Sequence, residues 1–182
     1  RKGLIVRTHG RASIVNHESV VPSFNQRERI RMDEKHLIAR KAAELILEGD
    51  SVIIDAGTTP LAVAKFVKNK NISVVTNSLA VGMELHDFQG TVSLTSGDII
   101  NTNMALYGPD TQRFLENIRV NKLILGTSGF RPDYGFTTSS SIEAAVKQKM
   151  IKCAQHVILV ADHTKFTRMK IALFSSYSDI HT

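Results

Sequence analysis

Five times along the chain a short run rich in Val, Ile and Leu breaks off into a small polar cluster. Ser51–Ile54 gives way to Asp55-Ala-Gly-Thr-Thr-Pro60, and Ser73–Val75 to Thr76-Asn-Ser78. Thr91–Leu94 runs into Thr95-Ser-Gly-Asp98, Lys122–Leu125 into Gly126-Thr-Ser-Gly129, and Val157–Val160 into Ala161-Asp-His-Thr-Lys165. Unbroken apolar runs of this length suit strands covered on both faces, which means a parallel sheet flanked by helices. In such sheets ligands bind outside the carboxyl ends of the strands. The five clusters are therefore predicted to share one rim, and the chemistry is sought there.

The intervening segments carry helical signals. Ile38, Ala42, Leu45 and Ile46 fall at i, i+4, i+7 and i+8, with Asp33 as a candidate N-cap and Gly49 as a stop. Thr59-Pro60 reads as N-cap and first-turn proline of a helix Leu61–Lys68. Further helices are predicted over Leu79–His86 behind a Ser78 cap, from Pro109 to about Asn117, and over Ser141–Cys153. Met104–Tyr107 and Ile171–Phe174 are further short strand candidates. Residues 1–30 lack periodicity and read as an arm or linker with short strands around Leu4–Arg7 and Ser19–Val21. Alternating strands and helices with short connections predict an α/β fold, Rossmann-like, with a mostly parallel sheet and helices on both faces.

Length and composition change this picture little. At 182 residues one domain is expected, here placed at 31–182, and no apolar stretch approaches the ~20 residues a membrane helix needs. The single cysteine, Cys153, can form no internal disulfide, which favours a reducing, cytoplasmic setting. Charge is more informative. Residues 1–41 hold ten Lys or Arg against four acids, an excess equal to the formal net charge of +6 of the whole chain. A basic arm suggests nucleic acid nearby, and a solvated mixed-charge surface fits equally well.

The strongest local signal for chemistry is Asp55-Ala-Gly-Thr-Thr-Pro60 between a strand and a helix. Gly57 allows close backbone approach, and the amides of Thr58 and Thr59 would open a helix N-terminus, which attracts phosphate. An ordinary strand-to-helix turn has the same composition. The nucleotide signatures G-x-x-x-x-G-K-[ST] and G-x-G-x-x-G are absent, as are metal-ligand spacings and a G-x-S-x-G elbow, so no cofactor, metal or serine nucleophile is expected. Acid–base candidates on the rim are Asp55, Asp98, Glu143 and Asp162, with Lys147 and Lys165 as cations. Glu143 and Lys147, at i and i+4, read as a surface ion pair worth ~0.3 kcal/mol. Carboxylate and ammonium beside a phosphate-binding turn fit recognition of a phosphorylated polyol and equally fit isomerase chemistry.

Taken in order, these stretches resemble the effector-binding domain of the DeoR family of bacterial transcriptional repressors. The matching segments are Arg7–Ala12, Asp55–Thr59, Val74–Leu79, Tyr107–Pro109, Gly126–Gly129, Gly135–Thr138 with Glu143-Ala144, and Ala161–Phe166. The resemblance implies a fold like the ribose-5-phosphate isomerase and coenzyme A transferase group, and a phosphorylated sugar as effector. It implies an N-terminal winged helix-turn-helix ahead of residue 1 as the route to DNA, with residues 1–30 as wing remnant and linker, and a domain running on past residue 182. A homo-oligomer, dimer or tetramer, is expected of a repressor reading palindromic sites.

The resemblance places Asp55, Gly57, Thr58 and Thr59, then Thr76, Asn77 and Ser78, in the effector pocket. Gly97, Lys147, Asp162 and Lys165 are next, and Arg27 lies where the family often has an arginine able to reach a phosphate. Two departures stand out. Gly97-Asp98 replaces Gly-Gly, so Asp98 would narrow the pocket or repel a second phosphate. Gly126-Thr-Ser-Gly129 replaces Gly-Ala-Asp-Gly, and Ser128 cannot serve as the carboxylate base of the related isomerases. A sensor without catalytic residues is therefore expected. A sugar-phosphate isomerase of the same fold and a nucleic-acid-binding module resting on the basic arm are the rivals.

Overall fold

The computed structural model describes residues 5–8, 11–14 and 22–182. Ahead of the domain, β1 (Ile5–Thr8) and β2 (Arg11–Ile14) form an antiparallel hairpin. The predicted strand at Ser19–Val21 lies outside the described residues. Next come α1 (Phe24–Arg29), α2 (Met32–Glu44), β3 (Ser51–Ile54), α3 (Thr58–Val67), β4 (Ser73–Thr76), α4 (Leu79–Glu84) and β5 (Thr91–Leu94). The chain continues through β6 (Asp98–Ile100), β7 (Ala105–Tyr107), α5 (Pro109–Leu115), β8 (Val120–Gly126), β9 (Gly129–Arg131) and β10 (Gly135–Thr138). It ends with α6 (Ser141–Cys153), β11 (Ala154–Val160), a 3-10 turn at His163–Thr167, β12 (Ala172–Ser175) and a second such turn at Tyr177–Asp179.

All five apolar runs enter one parallel sheet, ordered β11-β8-β3-β4-β5. Their residues are apolar without interruption because both faces are covered. Val52, Ile54, Val74, Ile124 and Ile158 pack with α2, α3 and α4 on one side. The alternate positions Ile53, Leu123, Leu125 and Val157 pack with α5, α6, Phe136 and Phe174 on the other. A second sheet, β12-β10-β9, is antiparallel, and β6 pairs with β7 as a hairpin. The last predicted strand joins that second sheet.

Several local expectations are corrected. The stretch read as arm contains α1, with Ser23 and Gln26 forming a capping box and Phe24 buried in the core. A six-residue helix offers too few turns for periodicity to show. Asp33 is not a cap: Arg31 holds that position at φ 54°, and Asp33 lies in the first turn. Gly57, not Thr59, occupies the N-cap position of α3, so the helix begins at Thr58.

Candidate functional site

Strand order decides where a ligand can enter. From β3 the chain steps to β4 and β5 in one direction, then returns to β8 and β11 in the other. The reversal opens a crevice between the carboxyl ends of β3 and β8, the place where ligands bind in open α/β sheets. Asp55 follows β3 and Gly126 ends β8, and the Gly126 amide donates to Asp55 Oδ2 at 3.0 Å. A Cβ on Gly126 would sit 3.3 Å from Pro60 Cγ and 3.4 Å from Asp55 Oδ2, so glycine lets the two strand ends meet without displacing either. Lys147, reaching across from α6, donates to Asp55 Oδ2 and, at 3.0 Å, to the Gly126 carbonyl. This ion pair is closed to solvent, with side-chain exposures of 5% and 0%. Such a pair holds geometry more than it adds stability.

Above it lies a cavity of about 220 Å³. One wall is the start of α3: Gly57, Thr58, Thr59 and Pro60. Helices α1, α4 and α6 are capped by Ser23, Ser78 and Ser140, whereas Gly57 has no side chain to cap Thr58 and Thr59. Their amides are left to whatever occupies the cavity, with the helix dipole behind them. Ala161, Asp162, Thr164 and Lys165, beyond β11, form a second wall, continued by Arg168. Arg27, Ile30 and Arg31 roof the cavity, and Asn103, Tyr107, Thr138 and Glu143 close its far side.

The charged groups here are tightly held. Arg27 donates through one guanidinium nitrogen to the Thr102 carbonyl at 2.6 Å and to Asn103 Oδ1 at 2.8 Å. Its Nε is buried with no partner among the described residues. Burial lowers the Arg27 pKa, against the opposing pull of Glu143 and Tyr107. Lys35 is buried and spends its ammonium on the carbonyls of Arg27 and Ile30, the latter at 2.7 Å, closing the end of α1. Burial also lowers Lys165, which lies 3.8 Å from Asp162. Asp162 ends below its ordinary range: burial pushes it up, but hydrogen bonds from Thr164 and the Lys165 charge outweigh that. Tyr107 is raised, chiefly by burial and then by Asp55 and Glu143, so its phenol stays protonated and can donate.

The expected site residues divide. Gly57, Thr58, Thr59, Lys147, Asp162, Lys165 and Arg27 line the cavity, with Asp55 directly behind Lys147. Thr76, Asn77, Ser78, Gly97 and Asp98 do not. Thr76 Oγ1 donates to the Ile54 carbonyl at 2.6 Å, and Ser78 Oγ caps α4. Asn77 ties the Ala56 amide, at 3.1 Å, to the Leu106 carbonyl, also at 3.1 Å, so it supports the turn after β3 from behind. Gly97, at φ 128°, leaves no room for a Cβ against Thr111 and Tyr107. Asp98 is exposed in the β6–β7 hairpin and borders a separate groove with Ile100, Gln112 and Ile142.

The pairing expected between Glu143 and Lys147 does not form. Both are buried, and each has a distant partner that the fold brings to it. Glu143 accepts from Asn103 Nδ2 at 2.6 Å, from the Thr138 hydroxyl and from the Ser139 amide at 3.3 Å. Asn103, Tyr107 and Thr138 were not anticipated as lining residues; they arrive from the β6–β7 hairpin and β10, whose local sequence carries no ligand signal. Among the described residues no group of three or more His, Cys, Asp or Glu is placed to hold a metal, and no helix is long and apolar enough to cross a membrane.

The family model described as the DeoR C terminal sensor domain matches residues 30–182. The chain belongs to the DeoR family. It is 37% identical over 180 residues to the HTH-type transcriptional regulator GlpR of Haloferax volcanii, covering 98% of this chain and 71% of that protein. It is 35% identical over 181 residues to the glycerol-3-phosphate regulon repressor of Escherichia coli, covering 97% and 71%. These relatives of the DeoR sensor are transcriptional regulators by name. Among solved structures, ribose 5-phosphate isomerase A from Methanocaldococcus jannaschii superposes with a TM-score of 0.54 at 12% identity, over 74% of this chain and 54% of that one. The tetrameric eIF2B-beta2-delta2 complex from C. thermophilum gives 0.57 at 18%, over 80% and 45%. The DeoR sensor thus shares the Rossmann-like fold of that group, over about half of each of those chains.

Proposed function

We propose that this chain is the effector-sensing part of a DeoR-type repressor, that a phosphorylated sugar binds in the cavity at the β3–β8 crevice, and that binding controls an N-terminal winged helix-turn-helix. The observation that carries the reading is the uncapped start of α3 facing Lys165, Arg168 and Arg27 within one cavity. Uncapped amides and cations together suit a phosphate, and the polar far side suits hydroxyls. The name of the Escherichia coli relative, a glycerol-3-phosphate regulon repressor, agrees with a small phosphorylated effector. Roofing by α1 gives the signal a route, because α1 lines the cavity and is the first helix after the hairpin in the chain. A ligand that favours one arrangement of α1 shifts the linker, provided it binds the two arrangements unequally. The protein acts in the cytoplasm as a homo-oligomer.

Thermal melting tests this directly. Phosphorylated sugars raise the melting temperature and the corresponding free sugars do so weakly or not at all; equal shifts from both would remove the phosphate anchor. The shared fold and the carboxylate of Glu143 in the cavity favour one rival, an isomerase. Ser128 offers only a hydroxyl in the Gly126–Gly129 segment, and no turnover of pentose or hexose phosphates is expected.

A further inference from the structure

We propose that two copies of this chain meet across the face made by α6, the β6–β7 hairpin and the start of β12, with Lys170 and Ile171 of each copy seated on the groove beside Asp98 of the other. This rests on the homo-oligomer reading above and gives it a surface, on a face outside the effector cavity.

Two shallow grooves flank the outer side of α6. One, of about 350 Å³, lies between that helix and the hairpin; Ile100, Pro109, Ile142 and Ala145 make it largely apolar, and Asp98 stands at its border. The other, of about 390 Å³, lies between the helix and β12 and is bordered by Ile171 and Leu173. Ser141 and Ala145 line both, so the grooves form one strip with α6 along its middle. Ile142 and Leu173 are exposed, and Ile171, at 89%, is the most exposed large apolar side chain among the described residues. Single apolar side chains in water are ordinary, whereas a continuous strip of them marks a contact surface. Strand β12 is the edge of its sheet, so no further strand of that sheet covers this side.

The strip is complementary to itself. At one end an apolar groove is bordered by the acid Asp98; at the other Ile171 projects beside the base Lys170. Asp98 and Lys170 are both exposed, and neither has an ionic partner among the described residues. A two-fold axis through the middle of the strip exchanges its ends. The groove of each copy then receives Ile171 of the other, and Asp98 meets Lys170 at both contacts. A partner of different sequence would have to supply the apolar knob and the matching charge separately, whereas a second copy supplies both by symmetry. The small side chains of Ser141 and Ala145 at the centre leave α6 free to approach its counterpart. Tyr107 lines both the first groove and the effector cavity, so a copy docked here touches a wall of that cavity.

The test is sedimentation velocity of the purified chain over a concentration series, with circular dichroism to show that each variant folds. A closed dimer or tetramer is expected of the wild type. Ile171→Glu raises the dissociation constant across this face about thirtyfold or more, as loss of a central apolar anchor does. Asp98→Lys and Lys170→Asp each raise it roughly tenfold, because each places like charges together at both contacts. Asp98→Asn removes an attraction at the rim without adding repulsion and shifts it little. Mixing the two charge-reversed variants restores wild-type association, since opposite charges then meet at both contacts of the mixed dimer. No structural role of either residue within its own chain produces that recovery. Weakening without recovery on mixing overturns the proposal, as does a species that grows without limit with concentration, the mark of a head-to-tail contact. An oligomer unmoved by Ile171→Glu and by both reversals overturns this surface alone and leaves the homo-oligomer reading standing. A wild type that stays monomeric overturns both. Should Ile171→Glu not fold, the mixed charge reversals decide.

Discussion

The rim of the sheet holds two sets of strand-end clusters that look alike in composition and differ in what they do. Asp55–Thr59, Gly126–Gly129 and Ala161–Lys165 gather at the β3–β8 crevice and line the cavity or stand directly behind it. Thr76–Ser78 and Thr95–Asp98, at the ends of β4 and β5, use their polar atoms on the protein itself or lie elsewhere on the surface. Both sets are rich in Thr, Ser, Gly and Asp. What separates them is distance from the switch point: β3 and β8 border the crevice and β11 adjoins β8, whereas β4 and β5 lie beyond β3. A polar cluster beyond a buried strand is as ready to satisfy backbone groups as to meet a ligand, and strand order selects between the two.

The contrast can be broken or sharpened by substitution. The largest effect is expected at Lys147. Lys147→Met leaves Asp55 buried and unpaired, at a cost of about 3–5 kcal/mol in urea unfolding. The double variant Asp55→Leu, Lys147→Met recovers much of it; no recovery would mean the pair is not the source of the loss. One strand away from the crevice, at the end of β4, Thr76→Val preserves volume but strips partners from the Ile54 carbonyl and the Ser78 amide. It costs about 1–3 kcal/mol of stability, while phosphate-ligand affinity in titration stays as in the wild type. A large loss of affinity would return Thr76 to the site.

Lys165→Ala reverses that pattern. It weakens a phosphorylated ligand roughly ten- to hundredfold with little change in the unfolding midpoint. Asp162 links the site to pH. Its carboxyl in the folded chain lies below its ordinary 3.8, through Thr164 and Lys165 acting against burial. A depressed carboxyl stabilises the fold above its unfolded pKa, and that contribution is lost as pH falls through the folded value. Stability measured from pH 6 downward therefore falls below about pH 4, and Asp162→Asn flattens that acid limb. The smallest effect is at Asp98, where Asp98→Asn changes stability by less than about 0.5 kcal/mol and leaves ligand affinity unchanged.

Much of the fold was legible because its signals are local. Continuous Val, Ile and Leu runs predicted buried parallel strands, Ser78 and Ser141–Cys153 marked helices where they stand, and both cores follow from alternate residues of the same runs. Helix α1 escaped notice because six residues give no periodicity, and with it went Ile30 and Arg31 of the cavity roof; Arg27 was expected there only through the family resemblance. The site was legible in part. Thr58 and Thr59 announce themselves through a glycine ahead of a helix, whereas Asn103, Tyr107 and Thr138 reach the cavity through hairpin and sheet contacts far apart in the chain.

Sequence alone determined the class of fold, the identity of the five parallel strands and the chemistry available at their ends, because each depends on neighbours within a few residues; β6, β9 and β10 were not among the strands it predicted. Tertiary structure decided which ends meet and who pairs with whom. Lys147 passes over Glu143, one turn away, for Asp55, 92 residues distant, because burial denies both groups water and each settles on the partner the packed sheet presents. Strand order is set by the joint burial of two faces, a property of the whole chain, and it turned five similar clusters into one site and its scaffold.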